Sequence, residues 1–88
     1  MTMIKLEYFH NPVCPYCPAA KNLITNVVEG LKDIDIIYVD TFTDEGIVRG
    51  MSLDIMAVPA IAINGVVKLT GWPFEAEDLL TYINEARK

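Results

Sequence analysis

Between Met3 and Phe9 the chain alternates, Ile4, Leu6 and Tyr8 against Lys5 and Glu7, a period that predicts a strand with one face toward the core. After a proline-rich break the period lengthens. Ala20, Leu23, Ile24, Val27, Val28 and Leu31 recur at helical steps, which predicts a helix from about Pro15 to Glu29 that stops near Gly30. Cys14 then lies at its N-terminal edge. Ile34 to Val39, containing "IIYV", is an apolar run of strand length, expected to be buried on both faces and ended by Asp40. Thr43 followed by Asp44 and Glu45 marks the start of a short helix to about Ser52, with Ile47, Val48 and Met51 on one face. Gly46 and Gly50 weaken its helical propensity.

Ala60 to Ile63 and Val66 to Thr70 read as two short strands joined at Asn64-Gly65, a pair that tolerates the positive φ angles of a tight hairpin. Beyond Gly71 and Pro73, an amphipathic stripe of Ala76, Leu79, Leu80, Ile83 and Ala86 predicts a last helix. It carries acids early and Arg87-Lys88 late, in agreement with the helix dipole. The order is βαβαββα, an α/β arrangement. A strand, helix and strand at the start imply a right-handed crossover and a parallel pair, and the hairpin adds an antiparallel pair. One four-stranded mixed sheet with helices on both faces buries all of these stripes. No repeat, low-complexity tract or linker interrupts it, so residues 1–88 are expected to form a single domain.

Composition narrows the partners. A hydrophobic content of 52% with 9% aromatics describes an aliphatic globular core. The formal charge of −5, without any basic cluster, argues against nucleic acid. The N-terminal "MTMIKLEYFH" lacks the pattern of an export signal, and the apolar run from Ile55 to Ile63 is too short for a bilayer and is broken by Pro59. A soluble, cytoplasmic monomer without membrane contact is expected.

The unusual chemistry sits in "HNPVCPYCP", residues 10–18, which holds both cysteines, the one histidine and three of the five prolines. Ligands of open α/β sheets favour the carboxyl ends of parallel strands, where this segment falls. A structural staple is the weakest reading, because so short a loop removes little entropy from the unfolded chain. An inert, buried cysteine pair would gain nothing from flanking prolines. A metal site, or a metal-carrying module, would use Cys14 and Cys17 with His10 as a third ligand, but lacks a fourth. A reactive dithiol fits the placement better. A helix N-terminus favours thiolate over thiol at Cys14, and Cys17, three residues on, is placed to attack a mixed disulfide formed there. Pro15 suits a first helical position, and Pro18 is tolerated near the first turn.

The order βαβαββα, with "CPYC" after the first strand and "VP" before the third, resembles the thioredoxin fold over essentially the whole chain. "CPYC" is typical of glutaredoxins, and "IMAVPAIAING" resembles small archaeal and bacterial thioredoxin/glutaredoxin-like proteins. The resemblance implies a thiol–disulfide oxidoreductase in which Cys14 is the nucleophile and Cys17 the resolving thiol. It implies a cis-Pro59 beside them and a Val58 backbone that pairs with an extended substrate, with Gly71 close by. Tyr16 and Trp72 would form an apolar rim with Phe74, the last two being equally suited to the core. Disulfide-containing proteins are the implied substrates and a reductase or low-molecular-weight thiol the electron donor, with no cofactor or metal. Two departures matter. Tyr8 stands where thioredoxins carry a buried acid, and the glutathione grip of glutaredoxins is not visible, although Lys21, Glu75 and Glu77 are possible substitutes. A glutathione-dependent glutaredoxin is therefore the alternative.

Overall fold

The computed structural model describes residues 3–55 and 57–87. Its elements follow in the expected order: β1 (Ile4–His10), α1 (Cys17–Val28), β2 (Ile34–Asp40), α2 (Asp44–Ser52), β3 (Ala60–Ile63), β4 (Val66–Thr70) and α3 (Ala76–Ala86). The strands form one mixed sheet in the order β2-β1-β3-β4, with β1 and β2 parallel and the other two pairs antiparallel. Asn64 and Gly65 take the positive φ angles the hairpin requires, 51° and 84°.

Strand alternation assigns the two faces. Leu6 and Tyr8 of β1 and Ile61 and Ile63 of β3 pack under Cys17, Ala20 and Ile24 of α1 and Leu79 and Ile83 of α3. This is the main core. On the opposite face Phe9, Ala60 and Ala62 meet Val39, Leu53, Ile55 and Val67. Glu75 caps α3 through a reciprocal bond with Asp78, and Arg87 closes its far end with a two-point ion pair to Asp33, at 2.7 and 2.8 Å. Leu79 and Ile83 are buried as expected, whereas Leu80 turns outward. Lys88, expected in the last turn, lies outside the described residues.

Three burial expectations are corrected. β1 is buried on both faces, because it is a central strand with helices on each side. Glu7, expected outside, is only 4% exposed, and its carboxylate accepts two hydrogen bonds from Arg49 of α2: Nε to Oε2 at 2.7 Å and Nη2 to Oε1 at 2.6 Å. β2, expected to be covered on both sides, is an edge strand and only half-buried.

α2 also packs differently from its apolar pattern. Thr43 caps it as expected, its Oγ1 accepting the Gly46 N–H at 3.0 Å. Its buried residues, however, are Gly46 and Gly50, while Val48 and Met51 are 67% and 73% exposed. Gly46 lies so close to the Asp40 carbonyl that any Cβ there would overlap it. The helix therefore approaches β2 through backbone, which only glycine permits.

Candidate active site

β1 delivers the site. Its last residue, His10, is fixed by its own carbonyl, which accepts both the Thr41 N–H at 2.8 Å and the Thr41 hydroxyl at 3.0 Å. The chain then turns. Asn11 organises this turn: its side-chain oxygen accepts the Val13 N–H at 3.0 Å and its carbonyl accepts the Cys14 N–H at 3.4 Å. Cys14 and Cys17 are joined in a disulfide with Cα atoms 5.4 Å apart.

The helix begins at Cys17, two residues later than Pro15, the start its periodicity suggests. Proline chemistry explains the shift. Pro18 occupies the second helical position and has no N–H to send back to Cys14, so the helix closes from the Ala20 N–H to the Tyr16 carbonyl at 3.0 Å. Cys14 thus stands in the turn ahead of the helix, half-buried, whereas Cys17 is in its first turn and almost fully buried. Tyr16 at the N-cap contributes no side-chain acceptor, which leaves the first-turn amide groups to a nearby electron-rich sulfur.

Tyr8, at the position where the resemblance places a buried acid in thioredoxins, reaches the first turn of α1 at Cys17. Its O–H donates to the Cys17 carbonyl at 2.6 Å, and burial, aided by neighbouring Tyr38, pushes the phenol up to about 12. It is a donor and stays one. The His10 ring stacks on Tyr8 with centroids 5.3 Å apart, Tyr38 meets Tyr8 edge-on at 6.0 Å, and the Lys21 ammonium lies 5.2 Å from the Tyr38 centroid. Together with Asn11, Pro12, Cys14, Cys17 and Pro18 these side chains line a cavity of about 600 Å³. Tyr38 and Thr41 were not candidates from the sequence. Their proximity comes from the parallel register that sets Tyr38 beside Tyr8 and Asp40 beside His10.

β3 supplies the other wall. Phe9 pairs with Ala60, so the antiparallel register brings Pro59 level with the end of β1. The Val58–Pro59 peptide is cis, as the resemblance implied, and so is Trp72–Pro73, which nothing in the sequence announced. Pro59 is fully buried, and its carbonyl accepts the Gly71 N–H at 2.7 Å. Gly71 makes this approach at φ +78°, a conformation that L side chains rarely adopt. Val58 is half-buried and, with Asn11, Thr41, Ile47 and Met51, borders a second cavity of about 280 Å³.

Phe74 belongs to the core, with Trp72 packed edge-on to it at 5.1 Å; Trp72, Cys14 and Val58 all rest against the same main cluster. Tyr16 is 54% exposed beside the dithiol. Of the residues offered as substitutes for a glutathione grip, Lys21 lines the cavity, Glu75 caps α3, and Glu77 is exposed in the first turn of that helix. Among the described residues no three His, Cys, Asp or Glu side chains gather as metal ligands, and no helix is long and apolar enough to cross a membrane.

A half-buried and a buried cysteine that close into a disulfide just past the end of a central strand are chemistry for exchanging disulfides. Comparison with known proteins agrees. A thioredoxin from Methanocaldococcus jannaschii is 39% identical over 74 residues, covering 83% of this chain and 85% of its own. A probable thioredoxin from Methanothermobacter thermautotrophicus is 38% identical over 84 residues, covering 94% and 95%. In fold the chain is similar to oxidised thioredoxin O2 from Arabidopsis thaliana, with a TM-score of 0.76 at 19% identity over 99% of this chain and 77% of that one. Thioredoxin 1 from Thermosipho africanus gives 0.69 at 23% identity, over 96% and 99%. Because residues 3–84 match the Thioredoxin domain and these relatives align along most of their length, the chain belongs to the thioredoxin family of thiol–disulfide oxidoreductases.

Proposed function

We propose that this protein reduces disulfides in other proteins, with Cys14 as the attacking sulfur and Cys17 as the resolving one. The observation that carries the assignment is the difference between the two sulfurs: Cys14 stands in the turn ahead of the helix, and Cys17 is buried behind it with its carbonyl held by Tyr8. A substrate reaches Cys14 first.

The Cys14 thiolate attacks one sulfur of the substrate disulfide, and the other substrate sulfur leaves as a thiolate. Cys17, after losing its proton, attacks the Cys14 sulfur and expels the second substrate sulfur, leaving the Cys14–Cys17 disulfide. Two electrons pass from the dithiol to the substrate, and a reductase or a low-molecular-weight thiol returns them. Val58, beside the buried Pro59, offers backbone to an extended substrate segment in the manner of an added strand. Gly71 supports that loop, and Tyr16 and Trp72 present apolar surface at its rim. The reduced form requires a reducing compartment such as the cytoplasm, where the protein acts as a monomeric single domain.

Replacing Cys14 with Ser abolishes reduction of an insulin-type protein disulfide. Replacing Cys17 with Ser leaves the first attack intact and traps substrate in a covalent adduct visible by intact mass. Turnover by the Cys14→Ser variant would sink the assignment. Efficient turnover with glutathione and glutathione reductase would name glutathione as the donor and favour the glutaredoxin alternative.

A further inference from the structure

Resolution of the mixed disulfide needs a base, because Cys17 attacks only as thiolate. The side chains around the cavity behind the dithiol limit the choice. From β1 come Tyr8 and His10, from β2 Tyr38, from the turn Asn11, and from α1 Lys21; among the described residues no carboxylate lines it. Asp40, next to His10 in the strand register, turns its Oδ1 to the Phe42 N–H at 2.8 Å. Glu7 faces the other side of the sheet, bound to Arg49.

Each of the others fails as an acceptor near neutral pH. Tyr8 already spends its proton as a hydrogen bond to the Cys17 carbonyl, and burial makes it harder to remove. Tyr38 meets Tyr8 edge-on and turns its ring to the Lys21 ammonium, so it offers the cavity an aromatic face and not a base. Lys21 carries an ammonium, which donates and does not accept, and an asparagine amide is no base. Imidazole is the side-chain type that changes charge between about pH 5 and 8. His10 also has the right position. It is stacked on the ring whose hydroxyl touches Cys17, and its backbone is held at the strand end by two bonds from Thr41.

We propose that His10 is the proton acceptor for Cys17 in the resolving step, working through solvent in the cavity it shares with the dithiol. This rests on the reductase reading given above. The Cys17 S–H proton passes to the neutral imidazole, the Cys17–Cys14 bond forms, the Cys14–substrate bond breaks, and the departing substrate sulfur carries the electron pair. The imidazolium then returns its proton to solvent or to that thiolate. Lys21, at the same cavity, favours the transient negative charge on sulfur.

The test is stopped-flow reaction of the reduced protein with dithionitrobenzoate, which releases one coloured thiolate on attack by Cys14 and a second on resolution by Cys17. In His10→Gln the first phase stays within about twofold of the unsubstituted protein, while the second slows by about tenfold or more, the lower end of a general-base effect. The second phase also loses its acid-side limb in the pH profile and is restored by added free imidazole. His10→Asn, shorter but similarly polar, gives the same pattern. An unchanged second phase, equal slowing of both phases, or no rescue by imidazole overturns the inference alone. A missing first phase in the unsubstituted protein overturns the reductase reading and this inference with it.

Discussion

Arg49→Met is the substitution whose cost is most sharply constrained by the structure. It keeps the aliphatic stem and removes the guanidinium that neutralises Glu7, a carboxylate in a central strand with only 6% of its side chain exposed. Hydrogen bonding to Glu7 raises the Arg49 pKa further above its ordinary value, so the guanidinium keeps its charge. Leaving one member of a buried pair costs about 3–5 kcal/mol. Arg49 itself is 42% exposed, which admits screening water from one side and lowers the expectation to about 2 kcal/mol. Domains of this size have roughly 4–13 kcal/mol in all, at about 0.05–0.15 kcal/mol per residue. The loss therefore lowers Tm by about 8–16 °C, taking about 4–8 °C per kcal/mol for a short domain. Glu7→Leu behaves otherwise, because the arginine it releases reaches solvent; its cost is about 1 kcal/mol or less. The double variant Glu7→Leu/Arg49→Met recovers most of what Arg49→Met loses. Urea unfolding of the four proteins followed by circular dichroism measures all three differences. Equal costs for the two single variants, or strict additivity in the double one, would refute the reasoning.

The Tyr8 phenol should ionise near pH 12 in an ultraviolet titration, and Tyr8→Phe should remove that step. Because its folded pKa lies above the ordinary value of 10.0, the stability it contributes is complete below about pH 10 and is lost as the pH rises toward 12; Tyr8→Phe escapes this alkaline loss. Alanine at the two glycines of α2 should act with opposite signs. Gly46→Ala forces a Cβ onto the Asp40 carbonyl and lowers stability by about 1–3 kcal/mol, whereas Gly50→Ala meets nothing and raises it by up to about 1 kcal/mol. Thermal melts of the two variants give the answer, and stabilisation by both would show that α2 does not need its close approach.

Where sequence patterns followed local backbone chemistry they were legible. The hairpin at Asn64-Gly65, with Ala60–Ile63 and Val66–Thr70 on either side, appears with its expected bounds because two adjacent positive φ angles leave few alternatives. The Thr43 cap was readable for a similar reason. Glu7 was misplaced because alternation was taken to mean one buried face, and a paired charge looks the same in sequence as a solvated one. The packing face of α2 was misjudged because periodicity counts apolar side chains, and glycines present none. At the site, Cys14 and Cys17 were legible from spacing and Pro59 through resemblance. The surroundings of Tyr8 were not, since Tyr38 and Thr41 arrive from β2 and the turn after it, 30 or more residues along the chain.

α2 touches the sheet through Gly46 and one arginine, so it shares little of the apolar interior that α1, α3 and the central strands bury together. Its melting is then not tied to melting of the whole molecule. A segment with exposed apolar side chains and few buried ones opens at a free energy below the global value, as a separate cooperative unit. The Val58 side of the dithiol is thus bordered by a helix expected to open before the core that holds Cys17, a difference that amide hydrogen exchange would read as earlier exchange in α2 than in α1 and α3.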